Sequence, residues 1–407
     1  MTSLDSKRLL LDVDAEDGRY HRQTLISWWD QSRLRDARIL VVGAGALGNE
    51  LVKNLVLVGV GTIVVADLDR VENSNLARCI FFREGDEGRY KAEIVAERAR
   101  ELNPQAQIVP LIGDVRLRAG LGVFAEVDVV LGGLDNREAR LFVNQACWKT
   151  STPWVDGAME GLLGLVRVFD PPDSACYECT LGERDFEILA SRRTCSLLSR
   201  DEMLAGKVPT TATTSSVVAG MQVQEAIKLL HREELGEPAL AGAGYQFVGL
   251  THDSYVVRYS RRDDCMSHDT YELERVEVVD LDPTFGDLLK LAREKLGANA
   301  LLELEHEVVL GASCGACGES AEIRRPTYGL KAGEGICPRC GNQWQLHFAH
   351  SVEADDDELL GLRPTDLRLP PADIVVGRAN FDRVYFLLTG GQSAIEAAAA
   401  SPMEAML

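Results

Sequence analysis

Positive charge is scarce in this chain: 43 Lys and Arg stand against 63 Asp and Glu, a formal charge of −20. Duplex DNA or RNA binding needs clustered cations to neutralise phosphate, so that class is excluded. An acidic surface can steer a basic protein partner, or simply keep the chain soluble. No stretch approaches the ~18 consecutive apolar residues of a membrane span, and Met1–Asp17 lacks the basic, apolar and small-residue zones of a cleaved leader. No membrane contact and a cytoplasmic location are therefore expected. Tandem repeats are absent, and so is a G-x-x-x-x-G-K-[ST] loop, which excludes ordinary P-loop phosphoryl transfer. What remains is 407 residues, 46% of them hydrophobic, enough for two or three packed domains.

The ten cysteines do not read as a disulfide framework. Six fall in three C-x-x-C pairs: Cys176 with Cys179, Cys314 with Cys317, and Cys337 with Cys340. Cys265 opens a C-x-x-H pair with His268. In a reducing compartment such pairs are metal or redox sites more often than structural bridges. The two later C-x-x-C pairs each carry a following glycine, which turns backbone amides toward thiolates. They predict a closed, structural tetrahedral zinc ribbon. Cys176–Cys179 pairs less obviously with Cys265–His268 across a long interval, as a Cys₃His zinc site or as a redox pair. His347 and His350 are surface histidines on this reading.

Residues 37–70 carry the clearest local pattern. A short β-branched run ends at Gly43-Ala-Gly45-Ala-Leu-Gly48, an apolar helical face follows, and Thr62–Asp67 reads as a second strand. Further strands are predicted at 108–112 and 127–131, and a closing helix at 217–230. The first 250 residues thus predict a Rossmann-like, doubly wound α/β domain. Gly43, Gly45 and Gly48 suit a tight turn with phosphate at a helix N-terminus, and Asp67 stands where a carboxylate meets ribose hydroxyls. Taken alone, that motif fits NAD or FAD as well as ATP. The block after Asp67 favours ATP. Asn75, Arg78 and Lys91 place amide and cationic groups where a triphosphate needs them. Asp135, at the end of a later strand with Asn136 beside it, is placed to hold Mg²⁺.

These residues together resemble the adenylating enzymes of the ThiF/MoeB and ubiquitin-activating superfamily. The resemblance runs from Gly18-Arg-Tyr-His-Arg22-Gln23 through the glycine turn and Asp67-x-Asp69. It continues through Ser74-Asn75-Leu-x-Arg78, Lys91-Ala, Asn103-Pro104 and Leu134-Asp135-Asn136-x-x-x-Arg140. It closes on Cys176–Cys179, Pro209-Thr-Thr and the helix from Gln224. Two departures stand out: Cys79 where the family usually has Gln, and His268 where it usually has a fourth zinc cysteine. The resemblance implies adenylation of the C-terminal glycine carboxylate of a small ubiquitin-like protein by MgATP. It implies that Asp67 and Asp69 border the nucleotide and that Asn75, Arg78 and Lys91 hold phosphates. Asp135 would bind Mg²⁺, and Arg22 would reach across a homodimer as an arginine finger; otherwise Arg22 makes a surface ion pair. It also favours zinc for Cys176, Cys179, Cys265 and His268, giving ATP, Mg²⁺ and two zinc sites in all.

Cys195, beside Arg192 and Arg193 and before Pro209, is in no metal pair. Adjacent arginines favour a thiolate, and in the protein-conjugating branch of the family the thioester cysteine lies in this interval. The alternative is a passive thiol, while Cys79 and Cys147 sit in apolar patterns and read as packing residues.

The expected organisation is an N-terminal extension (1–17) and an adenylation domain (18–270) with a cysteine loop (181–208). A small α+β domain of β-grasp, ubiquitin-fold-like type (271–390) follows, with the ribbon inserted at 311–345. An Ala-rich tail (391–407), a frayed helix or disordered, ends the chain. In the small domain, Asp282-Pro283 is the expected start of a helix that stops at Gly297. A ubiquitin-conjugating-like enzyme is the expected partner of that domain, and a bacterial antiphage conjugation operon of the Bil type is the expected setting. Two other readings stay open: a sulfur-carrier activator for thiamine, molybdopterin or tRNA thiolation, and a non-catalytic scaffold for a ubiquitin-like protein. A flavin or nicotinamide enzyme is disfavoured by the phosphate-binding cluster.

Overall fold

The computed structural model describes residues 18–186, 209–236, 239–330 and 334–401. Two sheets organise them. The first has eight strands in the order β3-β2-β1-β4-β5-β6-β7-β8. Its strands are β1 (Arg38–Val42), β2 (Thr62–Asp67), β3 (Gln107–Ile112), β4 (Val129–Gly132), β5 (Trp154–Glu160), β6 (Leu163–Phe169), β7 (Ala243–Val248) and β8 (Asp253–Arg258). The five strands from β3 to β5 run parallel, and β6, β7 and β8 add on antiparallel. The doubly wound expectation therefore holds for the parallel half, and an antiparallel meander extends it.

Strand β1 shows why this sheet is buried on both faces. Ile39 and Val41 join one hydrophobic cluster and Leu40 and Val42 the other, as the two-residue alternation of a strand requires. Helices Ala46–Val58, Lys91–Leu102 and Ala212–Leu230 cover the first face. On the other face lie helices Leu121–Glu126 and Arg137–Lys149, together with residues from the end of the chain, including Ile374, Tyr385 and Ile395.

The second sheet follows the order β11-β10-β13-β14-β9, with β12 also pairing β10. Its strands are β9 (Val276–Val279), β10 (Leu301–Ser313), β11 (Ser320–Pro326), β12 (Gln345–Val352), β13 (Ile374–Ala379) and β14 (Asp382–Leu388). One helix, Phe285–Leu296, packs Phe285, Leu288, Leu289 and Ala292 against it. That helix does not start at Asp282-Pro283. Thr284 is the cap, in a reciprocal box with Asp287, and Asp282 instead accepts from the Thr365 hydroxyl at 2.8 Å. The Thr-x-x-Asp box satisfies two amides at once, which a lone Asp cannot do.

Over its described residues the Ala-rich tail is helical, as one of the two expectations had it, but it is packed rather than frayed. Ala394–Ala400 is a helix, capped by Ser393, with Ala394, Ile395, Ala397 and Ala398 buried against the first sheet. Methyl side chains allow close approach, so a segment that reads as weak in isolation is ordered by what it packs on. No helix of the described residues is long and apolar enough to cross a membrane.

Candidate nucleotide and metal sites

Strand order reverses between β1 and β4, and the crevice at their carboxyl ends is where open α/β sheets bind ligands. The glycine turn sits there. Gly43 adopts φ +97°, and a side chain on it would lie 2.6 Å from the Gly133 carbonyl at the end of β4. A side chain on Gly48 would lie 1.8 Å from the Gly43 carbonyl. Both glycines are needed for packing. Gly45 is different: nothing lies within 4 Å of the corresponding position. The loop is thus tight underneath and open above Gly45, at the N-terminus of helix Ala46–Val58, where an anion is favoured.

Asp67 closes β2 beside this turn. Its carboxylate accepts from the Ala44 amide at 2.6 Å and the Asp69 amide at 2.7 Å. Burial raises its pKa to about 6, against the opposing pull of Lys91 and the Ala44 amide. Lys91 is buried and donates to Asp69 at 2.7 Å. Burial works against its ammonium, but the Asp67 and Asp69 carboxylates outweigh that and raise its pKa. Asn75 is buried and turned back on its own turn, accepting from the Glu72 amide at 3.0 Å. Arg78 donates to the Ser74 carbonyl at 2.8 Å. Asp135 is exposed beyond β4. Asn136 caps helix Arg137–Lys149 through Ala139 and donates to Asp135 at 3.2 Å. Gly43, Gly45, Gly48, Asp67, Asp69 and Lys91 thus meet at one crevice.

Arg22 is not brought to that crevice within its own chain. It is exposed in the short helix His21–Thr24. The neighbouring Tyr20 ring packs over Gly59, and its hydroxyl accepts from Asn103 at 2.8 Å. Gly59 ends the helix that begins at the glycine turn, so Arg22 lies toward the opposite end of a helix roughly 20 Å long. Cys195 lies outside the described residues. Cys79 and Cys147 are buried, and burial pushes the Cys79 thiol up to about 11 and Cys147 well above its ordinary value.

Three supporting groups carry no sequence motif of their own. Asn49 is fully buried: its amide donates to the Ala44 carbonyl at 2.8 Å and to the Gly45 carbonyl at 3.1 Å, and its carbonyl oxygen accepts from the Phe81 amide at 2.9 Å. It ties the glycine turn to the segment that bears Asn75 and Arg78. Its only signal in sequence is a polar residue on the buried face of the helix. Gln222 is also fully buried and donates to the Gly132 and Val155 carbonyls. Asp156, fully buried on β5, holds Arg140 at 2.9 Å and Arg167. Arg140 in turn donates to the Leu134 carbonyl just before Asp135, at 2.5 Å.

Both cysteine clusters assemble. Ligand atoms of Cys176, Cys179, Cys265 and His268 lie within 4.8 Å of one another, as do those of Cys314, Cys317, Cys337 and Cys340. In the second set, Gly318 and Gly341 have φ +72° and +74°. Their amides donate to the Cys314 and Cys337 carbonyls, each at 2.9 Å, so the two halves are matching knuckles. Amides of Ala316 and Cys317 lower the Cys314 thiol to about 6. Four sulfurs in one case and three sulfurs with an imidazole in the other fit tetrahedral zinc. In the first set, Cys179 Sγ and His268 Nε2 are 3.4 Å apart, and the His268 ring stacks on Trp148 with centroids 5.2 Å apart. That site pins the segment after β8 to helix Arg137–Lys149.

A family model described as the ThiF family matches residues 20–267. The chain belongs to the ThiF family. Among curated relatives of this ThiF-family chain, the sulfur carrier protein ThiS adenylyltransferase of Escherichia coli is 34% identical over 53% of this chain and 82% of its own. The SAMP-activating enzyme E1 of Haloferax volcanii is 33% identical over 63% of this chain and 91% of its own. The SUMO-activating enzyme subunit 2 of Dictyostelium discoideum is 39% identical over 36% of this chain, and that match spans only 22% of the relative. A crystal structure of Escherichia coli MccB with ATP superimposes with a TM-score of 0.51 at 21% identity. It covers 62% of this chain and 75% of that one, and shares the fold.

Proposed function

We propose that this ThiF-family chain activates a small ubiquitin-like or sulfur-carrier protein by ATP-dependent adenylation of its C-terminal carboxylate. The observation that carries the reading is the crevice at β1 and β4. There the Asp67 carboxylate is held for ribose by two amides, Lys91 is held beside it by Asp69, and the turn is open above Gly45. In the reaction, a carboxylate oxygen of the partner attacks the α-phosphorus. The bond to the bridging oxygen breaks, pyrophosphate leaves with that electron pair, and an acyl-adenylate remains. Asp67 and Asp69 would orient the nucleotide, Arg78 and Lys91 would offset phosphate charge, and Asn75 would donate a hydrogen bond to phosphate. Asp135 would hold Mg²⁺, which supplies charge neutralisation at the phosphates. Arg22, remote from its own crevice, would serve a second protomer in a homodimer. The two cysteine clusters would hold zinc as structural ties.

Beyond adenylation, we favour transfer of the acyl group to Cys195. The thiolate would attack the acyl carbon, AMP would leave, and a thioester would be handed to a conjugating enzyme docked on the second sheet. That sheet, with one helix packed on it and a ribbon in place of a plain turn, supports a ubiquitin-fold-like recruiting domain. The setting we favour is a bacterial Bil-type antiphage operon. The sulfur-carrier reading draws support from the ThiS adenylyltransferase likeness. The experiment is ATP–pyrophosphate exchange with candidate glycine-ended partner proteins, in the wild-type chain and in Cys195→Ala. Exchange that depends on a partner supports adenylation, and exchange indifferent to every partner refutes it. A thiol-sensitive adduct lost in Cys195→Ala supports thioester transfer. An adduct that survives assigns the step to another residue, and no adduct at all favours the sulfur-carrier reading.

A further inference from the structure

The helix Ala394–Ala400 reaches the nucleotide-binding sheet from the end of β14, five residues after the second sheet closes. It is gripped at both ends by side chains of the first sheet's helical layer. Glu126 accepts from the Ser393 hydroxyl at 2.7 Å and from the Ile395 amide at 3.1 Å. At the other end Arg118, itself buried, donates to the Ala398 carbonyl at 3.1 Å and the Ser401 carbonyl at 3.0 Å. A carboxylate at the start and a guanidinium at the finish match the helix dipole. Between them, Ala394, Ile395, Ala397 and Ala398 enter the same cluster as Leu40, Val42, Val64, Ala66 and Leu111 of β1, β2 and β3.

The grip leads on to the nucleotide crevice. The aliphatic stem of Arg118 lies over Gly113, its Cγ only 2.8 Å from where a Gly113 side chain would begin. Gly113 is held at φ +129° and donates its amide to the main-chain carbonyl of Asp67 at 3.0 Å. Asp67 is the residue whose side chain faces the glycine turn. The same layer is fixed to the second sheet a second time, because Leu121 donates to Asp373 at 2.9 Å and Gly122 to the Ala372 carbonyl at 3.0 Å.

We propose that the helix Ala394–Ala400 is a positioning element of the nucleotide site: seated between Glu126 and Arg118, it sets Gly113 and thereby Asp67, making ribose recognition depend on the C-terminal end of the chain. Arg118 is the positioning residue of this link. The proposal rests on the reading of Asp67 as the ribose partner, and it adds a dependence on the second sheet, which carries the helix.

The test compares MgATP with Mg·2′,3′-dideoxy-ATP by titration calorimetry on the full chain. Hydrogen bonds from ribose hydroxyls to a carboxylate are worth about tenfold or more in affinity, so the wild-type chain is expected to prefer ATP by at least that factor. Arg118→Met keeps the stem but releases the helix end, and Ala398→Glu unseats the helix. Each is expected to reduce the preference to below about threefold, while dideoxy-ATP binding changes by less than about twofold. Melting curves check that each variant folds, and if Ala398→Glu does not, Arg118→Met decides. A wild-type preference that a folded Arg118→Met keeps in full overturns this inference alone. A wild-type chain that binds both nucleotides equally overturns the ribose reading and this inference with it.

Discussion

Two glycines of one turn should respond oppositely to the same methyl group. In Gly48→Ala the new Cβ would lie 1.8 Å from the Gly43 carbonyl oxygen, with the Val41 side chain at 3.9 Å behind it. Contact with a backbone oxygen cannot be relieved by a rotamer change, so the turn or the helix must shift. Overpacking of this kind costs about 1–3 kcal/mol. Alanine in place of glycine in a helix returns at most about 1 kcal/mol, and the rigid neighbour puts the cost at the upper end of its range. We expect a net loss of about 2 kcal/mol. In Gly45→Ala the methyl meets nothing within 4 Å. Loss of a favourable glycine cap, a few tenths to about 1 kcal/mol, opposes a similar gain from a stiffer unfolded chain, so stability should change by less than about 0.5 kcal/mol. The same methyl points into the space assigned to phosphate and should weaken MgATP binding about tenfold or more. Urea midpoints at constant m-value and calorimetric titration with MgATP measure both quantities. Equal stability of the two variants, or full MgATP affinity in Gly45→Ala, would refute the reasoning.

Other expectations follow from the same geometry. Asp67 has its folded pKa raised from 3.8 to about 6 by burial, so its ionisation opposes folding. Its contribution is most favourable below about pH 4 and is lost as pH rises through about 6, up to about 3 kcal/mol. Asp67→Asn should therefore raise the melting midpoint at pH 8 by an increment that shrinks toward pH 4, while weakening ATP binding; an increment independent of pH would contradict this. Removing the buried Asp156 carboxylate in Asp156→Ala strands Arg140 and Arg167 and should cost about 3–5 kcal/mol, measured by urea unfolding. A loss below about 1 kcal/mol would show that the pair is not the tie described here. Metal analysis should return about two zinc ions per chain, and Cys337→Ser should leave about one. Loss of both ions from that single change would mean that the clusters are not independent.

The pattern of residues 37–70 was enough to place the glycine turn, because a β-branched run, spaced glycines and a helical apolar face are local signals that each act over a few residues. The three C-x-x-C pairs were legible for the same reason, and knuckle glycines at Gly318 and Gly341 stand where the spacing required them. Cys176 and Cys265 were harder: their sulfurs lie 3.5 Å apart only because the segment after β8 returns to helix Arg137–Lys149. Asn49, Gln222 and Asp156 were not legible. Each is a single polar residue whose importance lies in which distant carbonyl or guanidinium it faces.

Local chemistry, then, settled the first four strands of the first sheet, the glycine turn and the paired cysteines. Propensity and side-chain spacing act within a few residues and survive in any context that folds. The tertiary structure alone decided which glycine is open and which is crowded, that Arg22 stands away from its own crevice, and that Ala394–Ala400 is a buried helix. Those outcomes depend on close packing and hydrogen bonds between residues far apart in the chain, such as Glu126 and Arg118 closing on a helix that begins at Ala394. Such contacts leave no periodic trace in the sequence because only one partner of each pair is visible at a time.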